Sequence, residues 1–236
     1  MKKVDKKLTL KSNKWNFDGE VNKYFDKHIQ RSVPLYAETH KLVCSFSDYF
    51  INEGSTIYDI GCSTGTLIQK ITKRHKDLKN LNLIGLDISK NMIEHSKTRN
   101  QYKNAKYFRR DITKYKFKKS SMILSMFTIQ FIPPKHRQDL INKIYDSLDW
   151  GGGFLLFEKV RGSDARFQEM MQNIYIDYKI DNKFSYEEII KKSMSLKGVL
   201  EPFTRGGNLG LLRRAGFEDI ETIFRFNCFE GYLAIK

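Results

Sequence analysis

Three aspartates stand where three short apolar runs end, and that spacing is the first chemistry the chain offers. The runs are Ser55-Thr-Ile-Tyr-Asp59, Leu83-Ile-Gly-Leu-Asp87 and Lys106-Tyr-Phe-Arg-Arg-Asp111, each reading as a strand that closes on or just before a carboxylate. Asp59 leads into Ile60-Gly61-Cys62-Ser63-Thr64-Gly65, a turn of small residues that runs straight into an apolar-periodic helix. A strand, a small-residue turn and a helix bring backbone N–H groups and a helix N-terminus close to a bound ligand. Gly61 and Gly65 lack a Cβ, so the backbone there can approach a ligand and take positive φ, with Cys62 and Ser63 lining the same turn. Asp87 follows Gly65 by 22 residues. A carboxylate so placed can accept both hydroxyls of a ribose. It can also cap the next helix, but Ser89 is a capping residue in its own right and releases Asp87 for the ligand.

These residues need a scaffold that aligns strand ends. Strand-like runs fall at 56–60, 82–87, 105–110, 121–126 and 153–158, with helical patterns at 64–75, 89–99 and 134–148. Pro133-Pro134 opens the last of these helices and Trp150-Gly-Gly-Gly153 reads as its stop. Alternating strands and helices imply right-handed crossovers and a parallel sheet covered on both faces. Residues 18–52 read as helical, broken at Ser32-Val-Pro-Leu-Tyr36, because Pro34 disfavours helix before it. Residues 160–204 interrupt the alternation with helical patterns that put Met170, Met171, Ile174 and Tyr175 on one side, a lid or dimer surface. A helix over 207–215 and strands at 220–225 and 227–236 close the chain.

Composition bounds the remainder. At 236 residues, with 40% hydrophobic and 29% charged residues, the chain has the size and balance of one soluble domain. Residues 15–236 are expected to form it, behind a lysine-rich arm over 1–14 that lacks the apolar stretch of a secretory signal. No apolar run is long enough to span a bilayer, so no membrane partner is expected. Cys44, Cys62 and Cys228 show neither disulfide pairing nor metal-ligand spacing, which points to a reducing cytoplasm and no metal. The net charge of +15, from 42 Lys+Arg against 27 Asp+Glu, favours anionic partners. The lysines are spread over the whole chain with no aromatic-rich basic motif, so direct nucleic-acid binding is not the expectation.

The turn reads Asp-x-Gly-x-Ser-x-Gly, and no third glycine stands at the dinucleotide offset. It resembles the first motif of S-adenosylmethionine-dependent methyltransferases, with Ser63 at a usual glycine. A parallel five-strand sheet closed by a terminal strand pair points to the same fold. The expectation is an α/β class I methyltransferase (Rossmann-like) fold, with a mostly parallel seven-stranded sheet, helices on both faces and a helical insertion. In that fold the acid at Asp111 receives the adenine amino group, and the N–H of Ile112 meets a ring nitrogen.

A narrower resemblance rests on Trp15-Asn-Phe-Asp18, Gln30-Arg-Ser-Val-Pro-Leu-Tyr36, Tyr58-Asp-Ile-Gly-Cys-Ser63, Phe127-Thr-Ile-Gln-Phe131 and Lys191-Lys-Ser-Met194, in that order. The chain is similar, over about residues 15–235, to the carboxy-S-adenosylmethionine synthase family. The resemblance implies a homodimer that converts S-adenosylmethionine with prephenate, supplying the carboxymethyl donor of tRNA wobble-uridine modification. It implies a cofactor site lined by Tyr36, Gly61, Asp87, Ile88, Asp111 and Ile112. The family carries an asparagine where this chain has Met126, and an arginine that grips the added carboxylate where this chain has Lys192. Methionine makes no amide hydrogen bonds, and lysine keeps the charge without the planar fork. The leading expectation is therefore an S-adenosylmethionine-dependent methyltransferase of unknown acceptor, related to this family. Carboxy-S-adenosylmethionine synthesis, and a catalytically silent S-adenosylmethionine-binding partner of an RNA-modifying enzyme, stand as alternatives. Tyr36, Lys192 and Glu158 are the expected catalytic residues, with Tyr36 orienting the methyl group or acceptor and Glu158 a candidate base.

Overall fold

A computed structural model describes residues 21–100 and 102–236. The expected arm over 1–14 and the Trp15–Asp18 motif lie outside the described residues. Two N-terminal helices, α1 (Val21–Ser32) and α2 (Tyr36–Ser47), precede the sheet. Then follow β1 (Thr56–Ile60), α3 (Thr66–Arg74), β2 (Asn82–Asp87), α4 (Lys90–Arg99), β3 (Ala105–Arg109) and β4 (Ser120–Met126). A single 3-10 turn (Ile129–Phe131) leads to α5 (Pro134–Ser147) and β5 (Leu148–Lys159). The insertion is α6 (Ala165–Asp181) and α7 (Tyr186–Leu196); α8 (Arg205–Ala215), β6 (Asp219–Phe226) and β7 (Phe229–Ile235) close the chain.

The seven strands form one sheet in the order β3-β2-β1-β4-β5-β7-β6. All neighbours run parallel except β7, which pairs antiparallel with both β5 and β6. The class I methyltransferase architecture expected from the sequence is thus the one observed. Strand order reverses between β1 and β4, and open α/β sheets carry their ligand crevice outside the strand ends at such a point. Register brings those ends level: Ile60 pairs with Leu86 and Ser125, Asp87 with Arg109, and Met126 with Phe157.

The strands are apolar on both faces because helices cover both. One face carries Leu67, Ile68 and Ile71 of α3, Val43 of α2 and Ile93 of α4 against Ile57, Leu83, Leu124 and Phe157. The other carries Leu140, Ile141 and Ile144 of α5 and Leu211 and Leu212 of α8 against Tyr58, Ile60, Ile123 and Phe154. Each such side chain contributes roughly 1.5–3 kcal/mol on burial.

One boundary differs from the sequence expectation. The glycine run at 151–153 reads as a helix stop, yet α5 ends at Ser147 and β5 starts at Leu148, passing through the glycines. Gly151 takes φ +75°, and the β4–β5 register shifts between Ser120 and Met122, so the strand absorbs an irregularity there.

Candidate active site

The turn after β1 is built by two glycines that no other residue replaces easily. Gly61 has φ +76°, and a Cβ added there would meet Thr128 Oγ1 at 2.1 Å. Gly65 has φ +72° and serves as the N-cap of α3. Ser63 also adopts positive φ, 51°, which accounts for a glycine being usual at that position. Its backbone N–H donates to Asp87 Oδ2 at 2.9 Å, and the Ser89 N–H donates to Asp87 Oδ1 at 2.8 Å. Ser89 itself caps α4, its hydroxyl accepting from the Met92 N–H at 3.4 Å. Asp87 thus fastens the turn to the end of β2 through both carboxylate oxygens.

Several of the turn's own donors close it. The N–H groups of Gly61 and Cys62 both donate to Leu86 O, at 2.7 and 3.0 Å, and that of Gly65 donates to Cys62 O at 2.9 Å. These bonds hold the turn against the end of β2, leaving the first turn of α3 to present its N–H groups.

A carboxylate gathers side chains beside the α3 N-terminus. Asp26 of α1 accepts from Thr64 Oγ1 at 2.6 Å and Thr66 Oγ1 at 3.2 Å and pairs with Arg99 of α4. These contacts hold its carboxyl below the ordinary aspartate value against the opposing effect of burial. A helix N-terminus favours such a carboxylate. Asp26 lies on another helix with no motif spacing to the turn, so no sequence signal marks it.

Asp59, the first of the three strand-end acids, is the one the structure buries. It is 2% exposed, and burial, then the nearby Asp87 charge, push its carboxyl up to about 7. Among the described residues, neither a cation nor a hydrogen-bond donor compensates it. Tyr36, at the start of α2, is close enough to Asp59 and Asp26 for both charges to act on its hydroxyl, which burial already holds above the ordinary tyrosine value. Its ring lies 4.4 Å from that of His40 and 6.2 Å from that of Phe127. Burial, then the Lys70 charge, push His40 down to about 3, so it stands behind Tyr36 as neutral imidazole.

Ile88, Asp111, Ile112 and Met126 stand at or just after the ends of β2, β3 and β4. Ile88 is 63% exposed beside Asp87. Asp111 Oδ1 accepts from the Thr113 N–H at 3.0 Å and Thr113 Oγ1 at 2.7 Å, a local turn that orients the carboxylate. Ile112 is buried. Cys62 is buried, and its thiol is pushed well above its ordinary value by burial and then by Asp59 and Asp87. Met126 packs half-buried on the α3 face with Tyr36. Lys192 lies on α7, half-buried. Glu158 is 2% exposed and sits on the opposite face of β5 from Phe157; its Oε1 accepts the Ile129 N–H at 3.0 Å. Burial pushes Glu158 up to about 8, opposed by Arg137 and by the N–H groups of Ile129, Gln130 and Thr128. The Ile129 contact tethers the loop after β4 to the end of β5.

S-adenosylmethionine fits this set of residues. It brings a sulfonium and an ammonium, and the crevice holds a buried carboxylate, uncompensated among the described residues, beside a second acid. Among the described residues no group of three or more His, Cys, Asp or Glu is placed to hold a metal, and no helix is long and apolar enough to cross a membrane.

Comparison with known proteins agrees. The methyltransferase domain family matches residues 57–152. Among solved structures, a human N-acetylserotonin methyltransferase with S-adenosylmethionine aligns at TM-score 0.61 and 16% identity, covering 91% of this chain and 55% of that one. The complex of the Haloferax volcanii Trm112 methyltransferase activator with a methyltransferase contains a chain aligning at TM-score 0.64 and 14% identity, covering 96% and 99%. These likenesses show the fold. Among curated proteins, the carboxy-S-adenosyl-L-methionine synthase of Staphylococcus epidermidis is 40% identical over 94% of this chain and 97% of its own. That of Nautilia profundicola is 38% identical over 94% of both, and that of Campylobacter lari 34% over 94% of both. The chain belongs to the carboxy-S-adenosyl-L-methionine synthase family, within the S-adenosylmethionine-dependent methyltransferase class, and is an S-adenosylmethionine-dependent transferase.

Proposed function

We propose that this transferase carboxylates the methyl group of S-adenosylmethionine with prephenate as donor. Prephenate loses its ring carboxyl as carbon dioxide and its ring hydroxyl as hydroxide to leave phenylpyruvate. The hydroxide takes a methyl proton as water, and the resulting ylide carbon bonds to the carbon dioxide. The observation that carries the reading is the end-to-end likeness to relatives that bear that name, at 33–40% identity.

In this reading Asp87 receives the ribose hydroxyls, Asp111 and the Ile112 N–H the adenine, and Asp59 the ammonium of the amino-acid tail. Gly61, Cys62, Ser63 and Gly65 let the backbone lie against the nucleoside, with Ile88 and Met126 beside it. S-adenosylmethionine supplies a methyl carbon activated by the adjacent sulfonium. Tyr36 excludes water from that carbon and orients it, backed by neutral His40. Lys192 supplies the positive charge for the new carboxylate. The remaining parts of the proposal are a single domain over 15–236, a cytoplasmic setting, a product used in tRNA wobble-uridine modification without direct RNA contact, and a homodimer. The dimer is supported by apolar side chains left exposed at helical spacing, Phe167, Met170 and Ile174 on α6 and Tyr186, Ile190 and Met194 on α7.

Two residues favour plain methyl transfer as a second reading. Met126 gives no amide hydrogen bond and Lys192 no bidentate grip, so retention of a carboxylated nucleoside is weaker than with asparagine and arginine. Purified protein incubated with S-adenosylmethionine, with and without prephenate, separates the two. A carboxylated nucleoside that depends on prephenate supports the proposal. S-adenosylhomocysteine formed with a methyl acceptor, and no carboxylated product, supports methyl transfer.

A further inference from the structure

Two lysines stand against one tyrosine ring beside the proposed acceptor end of the sheet. Lys159, the last residue of β5, places Nζ 4.4 Å from the Tyr175 ring centroid, and Lys179, on α6, places Nζ 4.2 Å from the same centroid. Both are half-buried. Burial holds Lys159 below the ordinary lysine value, and burial, then Lys159, push Lys179 down to about 8. Among the described residues, the group that opposes this for either lysine is the thiol of Cys228, and no carboxylate is placed to compensate them. Two like charges drawn together away from water are unfavourable unless an anion joins them, and the ring quadrupole repays only part of the cost.

The support beneath them is rigid. Tyr175 donates its hydroxyl to Ser32 O at 2.8 Å and packs edge-on to Phe229 at 5.2 Å. Asn227, in the turn between β6 and β7, donates Nδ2–H to Met171 O at 3.0 Å, fastening α6 to the sheet. Phe229 also meets Phe127 at 5.9 Å, and Phe127 meets Tyr36. A continuous aromatic wall therefore runs from Tyr36 to the lysine pair, on the face of β5 that Phe157 shares and Glu158 does not.

We propose that Lys159 and Lys179 form a cradle for a carboxylate of the acidic small molecule that reacts with S-adenosylmethionine. Its two lysines come from β5 and α6, whereas Lys192 belongs to α7. It rests on the reading that the co-substrate is a small carboxylic acid. Lysines suit such a cradle, because compact ammoniums attract a carboxylate that must arrive and leave, without the fixed fork of arginine.

The test uses malonate as a probe and prephenate as co-substrate. Calorimetry with the wild type, Lys159→Met and Lys179→Met, against sodium chloride at equal ionic strength, is expected to show malonate binding to the wild type and at least about tenfold weaker binding to either variant. S-adenosylmethionine affinity and melting temperature should be nearly unchanged, and Lys179→Arg should recover most of the malonate affinity. With selectively labelled lysine, malonate should raise the Lys179 titration midpoint in the wild type, which a merely structural role would not do. In turnover, Lys179→Met should raise the KM for prephenate more than it lowers kcat. Malonate binding no better than chloride, or equal binding by wild type and variants, overturns the cradle. If the wild type forms no carboxylated product but malonate still discriminates the variants, the cradle stands and the carboxylation reading falls. If carboxylation proceeds with unchanged prephenate KM in both variants, the cradle falls alone.

Discussion

Cofactor binding should release a proton, and Asp59 is the residue that releases it. The folded protein holds this carboxyl near 7 against an ordinary value of 3.8, first by burial and then by Asp87. Between those values the folded chain binds a proton that the unfolded chain does not, so stability falls as pH rises through the window. Three pKa units correspond to an upper bound of about 4 kcal/mol lost by pH 8. A bound ammonium and sulfonium reverse the balance by favouring the ionised form. S-adenosylmethionine affinity should therefore rise by up to about tenfold per pH unit from 5.5 to 7, then level. Near pH 8 the cofactor's own amine begins to lose its charge, and affinity should turn down. Calorimetry in buffers of different ionisation heat counts the protons: close to one released at pH 5.5, few at pH 7.5. Asp59→Asn removes the titrating group. It should flatten the pH dependence, raise the melting temperature of the free protein at pH 8 and weaken cofactor binding at pH 7.5 by roughly tenfold or more. Equal affinity at pH 5.5 and 7.5 with no proton release, or an asparagine variant that binds like the wild type, would refute the reasoning.

Three further outcomes follow from the geometry. Gly61→Ala forces a Cβ into Thr128 at a φ of +76°; a loss of about 2–3 kcal/mol in chemical denaturation and near-complete loss of cofactor binding are expected. Asp26→Asn removes the carboxylate that gathers Thr64, Thr66 and Arg99 at the α3 N-terminus. Because the group is partly exposed, the loss should be about 1–2 kcal/mol in melting experiments, with cofactor affinity reduced roughly tenfold. Ile174→Glu combined with Ile190→Glu, on the exposed apolar sides of α6 and α7, should convert a dimer to a monomer in sedimentation velocity. A dimer that persists in the double variant places the interface elsewhere.

The sheet and its helices were legible in the sequence because the strands are apolar runs buried on both faces, bounded by glycines and acids that mark their ends. The boundaries of β1, β2 and α3 fall within two residues of the periodicity. β5 was less legible, because a glycine run looks like a break and is instead an irregular strand start. Within the site, local motifs were readable and long-range pairings were not. The Asp87 carboxylate, turn glycines and Ser89 cap sit within one strand–turn–helix grammar. Asp26 reaches the turn from a helix about forty residues upstream, and Lys179 reaches Lys159 across the insertion, so no spacing announces either pair. Composition likewise says nothing of which acids are compensated: Asp59 and Glu158 both read as strand-end acids, yet among the described residues Asp59 has no compensating partner, whereas Glu158 accepts the Ile129 N–H and feels the Arg137 charge.

The most direct measurement is the mass of the nucleoside recovered after the protein is incubated with S-adenosylmethionine and prephenate. The account predicts that one hydrogen of the sulfonium methyl is replaced by a carboxyl group, only when prephenate and active protein are both present. Recovery of unaltered S-adenosylmethionine under those conditions, with S-adenosylhomocysteine accumulating once a methyl acceptor is supplied, would contradict it.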